Sequence, residues 1–375
     1  MTRLKTMTVV GTRPEIIRLS RLIPKMDQIT DHVLVHTGQN FSRELNEVFF
    51  EDLELRTPDI NLEVSTGSAA LVTGETIVKM EKVLLEHRPD ALLILGDTNS
   101  SLAAITAERM QVPVYHMEAG NRSFDANVPE ELNRRIVDHV ASFNLPYNEH
   151  SRRNLLAEGL NPRFILKTGS PLPEVLHHFE SKISQSNILN ELELEPGRYI
   201  VVSVHRQENV DRIERLTEIV QTLNAVAERY DCPVIVSLHP RTRKRLSSLT
   251  HDHDSRVVMH HPFGFLDYQK LQKESLCVMS DSGTIAEESA ILGFRAITLR
   301  DSIERPEALE AGSIVLSGLE ARDVLASVDW AISRGAHYPP EGYSGETFSD
   351  VVSAFVLSTA RKSREWANLR TLSHT

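Results

Sequence analysis

Short apolar runs rich in Val, Ile and Leu alternate along the chain with longer stretches whose apolar residues recur at helical spacing. In the first half the runs are MTVVG (7–11), HVLVHTG (32–38), ALLILGD (91–97), VPVYHMEAG (112–120), SFNLPY (142–147) and FILKTGS (164–170). Helical patterns such as TIVKMEKVLLEH and SLAAITAERM lie between them. After a polar segment at 180–197 the pattern restarts with YIVVSVH (199–205), CPVIVSLH (232–239), RVVMHH (256–261), SLCVMSD (275–281) and RAITLRD (295–301). Such alternation predicts parallel sheets covered by helices on both faces. The restart predicts two Rossmann-like domains, 1–170 and 171–348, joined near residue 170. A last helical segment, 349–370, is expected to pack back on the first domain.

Length agrees, since 375 residues suit two domains rather than one. A net charge of −11 argues against nucleic acid or an anionic membrane as a partner, although local Arg and His can still reverse the field around a small anion. No apolar stretch approaches a membrane span, and the N-terminus lacks a signal-peptide pattern. Cys232 and Cys277 sit beside or inside apolar runs, which predicts reduced core thiols and a cytoplasmic protein.

The candidate chemistry falls where the strands end. Ligands of open α/β sheets bind outside the carboxyl ends of the strands. Here those ends carry Thr12-Arg13, Asp97, Glu118, His205-Arg206, His239-Pro240, Asp281-Ser282-Gly283 and Arg300-Asp301. The stretch VMSDSGTIAEES (278–289) is the most telling. A Gly between strand and helix lets backbone N–H groups approach an anion at the helix N-terminus. Glu288, one turn further in, suits a ribose diol, and Thr284 with Glu287 has the spacing of a capping box. A nucleotide diphosphate would use both features. No G-x-G-x-x-G follows the first strand, and Walker A, zinc and nucleophile-elbow motifs are absent from the sequence. The histidines at 251, 253, 260 and 261 fit no standard metal spacing.

In order along residues 7 to about 318, VVGTRPEIIRLS, HTGQN, GDTNS, HMEAGNR, VPEELNRRIVDH, VSVHRQEN, SLHPR, SDSGTIAEES and ERPE resemble the non-hydrolysing UDP-N-acetylglucosamine 2-epimerase family. The resemblance implies two Rossmann-like domains of GT-B type with the active site in the interdomain cleft. It implies a UDP-sugar substrate, no cofactor or metal, a homodimer, and a role in bacterial surface polysaccharide synthesis. It assigns Arg13 and His205 to the nucleotide-sugar phosphates and Ser282, Gly283 and Thr284 to the phosphate turn. Glu288 is assigned to the ribose, and Asp97, Glu118, Glu130 and His205 to catalysis. HMEAGNRSFD, TGSPLPEVL and SDSGTIAEES further resemble a subgroup converting UDP-2-acetamido-2,6-dideoxy-L-talose to UDP-N-acetyl-L-fucosamine, or handling the related rhamnose/quinovose pair. Thr284 and Gln207 replace the family's more usual Gly and basic residue. Asn40-Phe41 stand where His-Arg contributes to an activating second nucleotide-sugar site, so the resemblance does not extend to that site.

Structural alternatives stand beside these assignments. Asp97 could cap the following helix, and Glu130 could complement the helix dipole after Pro129. His205 and His239 could be ordinary strand-end histidines, and Arg134 and Arg135 read as solvated helix charges. A hydrolysing 2-epimerase and a GT-B glycosyltransferase share the expected fold and nucleotide site.

Overall fold

The computed structural model describes residues 3–38, 49–65, 67–125, 128–238, 242, 245, 253–334, 339–367 and 369. His239, Asn40-Phe41 and the side chain of Gln207 lie outside the described residues. The chain divides into two compact units, Met1–Val175 with Ser344–Thr375, and Leu176–Tyr343.

In the first unit β1 (Lys5–Val10), β2 (Asp31–His36), β3 (Ile60–Asn61), β4 (Ala91–Leu95), β5 (Val114–Met117) and β6 (Phe143–Leu145) form one sheet. Its order is β3-β2-β1-β4-β5-β6, with every pair parallel. Alternate side chains feed opposite faces of the sheet. Met7, Val9, Val33, Val35, Leu92, Ile94 and Val114 pack with Val72, Met80 and Val83 of the helix Ala69–His87. On the other face, Tyr115 bonds Thr359 at 2.6 Å and meets Phe355 edge-on at 5.9 Å. Both belong to the helix Phe348–Thr359, which is therefore an integral part of this unit. Ser349 N donates to Glu174 Oε2 at 2.9 Å and ties its start.

The second unit holds β7 (Ile200–Ser203), β8 (Val234–Ser237), β9 (Val257–His260), β10 (Cys277–Ser280), β11 (Ala296–Thr298) and β12 (Val315–Leu316), in the parallel order β12-β11-β10-β7-β8-β9. Ile200, Val202, Val234, Val236 and Met279 pack with residues of the helices Ile213–Tyr230 and Ala321–Ser333. Tyr199, Val201, Ile235 and Val278 pack with Leu271, Ile285 and Ala286 on the opposite face.

Numbered within its own unit, each sheet has the dinucleotide-fold order 3-2-1-4-5-6. The direction of winding reverses between β1 and β4, and again between β7 and β10. Two crevices follow, one at the carboxyl end of each sheet. The expected strand at 164–170 is not formed. Phe164 closes a 3-10 turn, and the segment then follows β6 through Leu166 N to Asn144 O and Thr168 N to Pro146 O, with one bridge at Ile165.

Candidate functional site

At the first crevice, the turn after β1 is held by Glu15, 2% exposed. Its carboxylate accepts from Gly11 N (2.7 Å), Thr12 Oγ1 (2.9 Å), Ser100 Oγ (2.8 Å) and Thr98 Oγ1. One buried carboxylate thus fastens the β1 turn to the loop after β4. Burial pushes its pKa up, against these hydrogen bonds. Arg13, the first residue of the helix Arg13–Leu19, stays exposed, with its guanidinium 5.4 Å from the Phe49 ring centroid.

Asp97 and Glu118 are joined by Arg134. Nη1 of this arginine donates to the Glu118 carbonyl at 2.5 Å, while Nη2 contacts Asp97 Oδ2 and lies 3.4 Å from Glu118 Oε1. A second buried guanidinium, Arg18, lies 3.1 Å from Glu118 Oε2. Glu118 is a non-glycine residue at φ 63°, a left-handed conformation that costs energy and clusters at functional sites. Asp97 does not cap a helix. Thr98 precedes the 3-10 turn Asn99–Leu102, and the Asp97 side chain turns to Arg134.

Arg134 corrects the solvated reading, because it is 2% exposed and reaches both acids. Arg135 is half exposed and pairs with Glu131 at 3.0 Å. The missed signal was periodic. Glu131, Arg134 and Asp138 fall on the buried stripe of the helix Pro129–Val140 together with Val137. Glu130 is exposed on the first turn of this helix, one turn before Asn133 and Arg134. Asn133 Nδ2, one turn further along the helix than Glu130, donates to the Asp97 carbonyl at 3.0 Å. Glu131, next to Glu130, is buried and accepts from Ser123 N at 2.9 Å.

At the second crevice, Asp281 is fully buried. It accepts from His205 N (3.1 Å), Arg206 N (3.0 Å) and Asn209 Nδ2 (3.0 Å), and lies 3.1 Å from His205 Nδ1. Burial alone would raise its pKa, but the His205 ring and these donors hold it below the ordinary carboxylate value. Partial removal from water opposes the charge on the His205 ring, which keeps about half its surface exposed, yet the Asp281 carboxylate prevails and raises its pKa. Sequence reading gave Asp281 no role of its own. The structure makes it the post that aims His205.

Ser282, Gly283 and Thr284 lead into the helix Ile285–Leu292. A Cβ at Gly283 would stand at van der Waals distance, 3.4 Å, from Arg206 Nη2, so the turn lies beside a cation. The expected capping box is not formed. Thr284 already has helical dihedrals and makes no side-chain cap bond, and its hydroxyl faces Ser282 Oγ at 3.0 Å. Glu287 is fully buried and pairs with Arg305 at 3.2 Å. Glu288 is half-buried and accepts from Gln272 Nε2 at 3.0 Å. Among the described residues no cluster of His, Cys, Asp and Glu could hold a metal ion, and no helix is long and apolar enough to cross a membrane. Both cysteines are buried and free.

The strand-end chemistry therefore falls into an acidic group held by guanidinium groups and a turn beside Arg206. Among solved structures, the chain is 42% identical to the UDP-N-acetylglucosamine 2-epimerase of Rickettsia bellii, with a TM-score of 0.89 over 97% of this chain and 98% of that one. It is 33% identical to the Methanocaldococcus jannaschii UDP-GlcNAc 2-epimerase in complex with UDP-GlcNAc and UDP, with a TM-score of 0.87 over 94% of this chain and all of that one. A UDP-N-acetylglucosamine 2-epimerase sequence from Methanocaldococcus jannaschii is 35% identical over 92% of this chain and 97% of its own length. The family model for UDP-N-acetylglucosamine 2-epimerase matches residues 25–352, and the chain belongs to that family.

Proposed function

We propose that the protein inverts C2 of a UDP-2-acetamido sugar by eliminating and re-adding UDP. The observation that carries this reading is the Asp97–Arg134–Glu118 arrangement at the ends of β4 and β5. A nucleotide site alone would serve a glycosyltransferase equally well. Two acids held side by side by a shared guanidinium suit proton transfer next to a cationic centre.

The C2 proton is not α to a carbonyl, so the C1–O bond breaks first and the electron pair leaves with UDP. Arg13 and the His205 imidazolium stabilise the departing diphosphate electrostatically. Positive charge at C1 and the ring oxygen faces the carboxylates, as in glycoside hydrolysis. One acid removes the C2 proton and leaves a 2-acetamidoglycal. Protonation from the opposite face and return of UDP to C1 complete the inversion. Two faces require two proton-transfer groups, drawn from Asp97, Glu118 and Glu130. Ser282, Gly283 and Thr284 hold phosphate, and Glu288 holds the ribose. No electrons change hands, so the reaction needs no cofactor.

Turnover in D₂O tests the reading. NMR should show deuterium at C2 of the product, without added NAD and without net release of UDP. Accumulating UDP would point to the hydrolysing reaction. Retention of the C2 proton would refute elimination.

The finer substrate reading is a 6-deoxy sugar, UDP-2-acetamido-2,6-dideoxy-L-talose. The stretches HMEAGNRSFD, TGSPLPEVL and SDSGTIAEES support it, through their resemblance to the subgroup that acts on 6-deoxy substrates. Product analysis with UDP-2-acetamido sugars bearing or lacking the 6-hydroxyl decides this point. A homodimer and a cytoplasmic role in surface polysaccharide synthesis belong to the same proposal. The dimer is supported by Leu71, Val78 and Leu85, an exposed apolar stripe at seven-residue spacing on one helix. Sedimentation of wild type and Val78→Glu tests it.

A further inference from the structure

Behind the two acids lies a buried polar group that the mechanism above does not use. His116, in β5, is fully buried. Its Nε2 lies 2.8 Å from the Gly96 carbonyl and its Nδ1 lies 2.9 Å from Asp138 Oδ1. The ring thus stands between a backbone carbonyl that it hydrogen-bonds and a carboxylate that it contacts. Asp138 is also fully buried, and it accepts from Gly120 N at 3.2 Å and pairs with Arg122 at 2.7 Å. Arg122 in turn meets Glu158 at 2.6 Å.

These contacts fall at particular places in the chain. Gly96, at φ 75°, immediately precedes Asp97, and Gly120, at φ 80°, lies two residues beyond the strained Glu118. The Glu118–Gly120 turn is therefore gripped at both ends, by Arg134 on the Glu118 carbonyl and by Asp138 on the Gly120 N–H. Through His116, the same carboxylate reaches the turn that delivers Asp97. Buried ionic groups are expensive unless each is paired, and here the pairing links two backbone turns in left-handed conformations.

We propose that His116 and Asp138 form a positioning pair, bridging the turns of Glu118 and Asp97 through the buried imidazole and setting the spacing of the two acids. The inference rests on the epimerase reading only for its kinetic readout. The pair touches no substrate. It acts through Glu118 and Asp97, so its loss should slow proton transfer and spare nucleotide binding.

Asp138→Asn, His116→Ala and His116→Gln test the proposal, with rates normalised to the number of UDP sites titrated by calorimetry. In Asp138→Asn, kcat should fall roughly tenfold to a hundredfold, as expected for small misplacements of reacting groups, while UDP affinity is unchanged. The isotope effect on kcat with C2-deuterated substrate should rise, because chemistry becomes slower relative to binding and release. A merely unfolded fraction would leave that isotope effect at its wild-type value. His116→Gln keeps a donor for the Gly96 carbonyl and should recover part of the rate lost in His116→Ala. If Asp138→Asn does not fold, the two His116 variants carry the test. Hydrogen exchange of the Gly120 amide, which donates to Asp138, should quicken in Asp138→Asn. Wild-type rate and isotope effect in the variants, or an unchanged Gly120 amide, would overturn the proposal. A wild-type enzyme that exchanges no C2 proton would instead refute the functional reading, and the amide exchange would still judge the bridge.

Discussion

Asp281 and His205 are joined twice across the β7–β10 switch, through the His205 backbone N–H and through its ring Nδ1, both at 3.1 Å from Oδ1. The pair fixes the sign of a pH dependence. The folded-state pKa of His205 lies above its ordinary value of 6.5, so its contribution to stability is complete below that value and is lost as pH rises through the raised pKa. Asp281 lies below its ordinary 3.8, so its contribution is present above that value and is lost as pH falls through the depressed pKa. UDP affinity should decline on the alkaline side as the imidazolium disappears. His205→Gln should flatten that decline in calorimetric titrations across pH. An identical slope in wild type and variant would remove His205 from the phosphate site.

Arg134→Met should be costly to fold and to function. It leaves two carboxylates without a shared guanidinium, and removing one partner of a buried ionic group typically costs about 3–5 kcal/mol. Urea unfolding should show the loss. Arg135→Met, on the exposed side of the same helix, should change stability by less than about 1 kcal/mol.

Glu288→Ala should weaken UDP itself, by about 1.5–3 kcal/mol for one hydrogen-bonded contact to a charged group. Gln272→Ala should follow in the same direction with a smaller effect, since Gln272 orients Glu288 without being assigned to the ligand. Titration calorimetry with UDP checks both. Unchanged affinity in Glu288→Ala would remove it from the ribose.

Gly120→Ala should disrupt the turn behind Glu118. A Cβ there would lie 2.3 Å from the Ser151 carbonyl oxygen and 2.8 Å from Leu155 Cγ, at a φ of 80°. The backbone conformation alone costs about 1–3 kcal/mol, and relief of the clash adds to it. Thermal unfolding should show a clearly lowered midpoint, with C2 exchange lost along with it.

Periodicity exposed the architecture because buried parallel strands are continuous apolar runs, and the candidate positions stood out because polarity marks where those runs stop. Asp97, Glu118, His205 and Ser282-Gly283 were singled out for that reason. Strands of two residues, such as Ile60–Asn61 and Val315–Leu316, leave too short a pattern to detect. Arg134 was hidden by its type. A charge in an amphipathic helix reads as solvated unless the register of the buried stripe is followed through it. Asp281 was hidden by its direction, since nothing local says that a strand-end acid turns inward to a neighbouring strand's backbone. The Thr284–Glu287 spacing misled because Arg305, distant in sequence, claims the glutamate.

The first unit is completed only by Ser344–Thr375, through Tyr115 with Thr359 and Glu174 with Ser349. During synthesis on the ribosome, every residue of the Leu176–Tyr343 unit emerges before that closing helix does. The unit that carries the Ser282-Gly283 turn can therefore mature while the unit that carries Asp97 and Glu118 still exposes the apolar face around Tyr115 and Phe143. A chain arrested before residue 344 would present that face to chaperones and proteases, since the acid-bearing unit is completed only by a segment translated after the whole of the other unit.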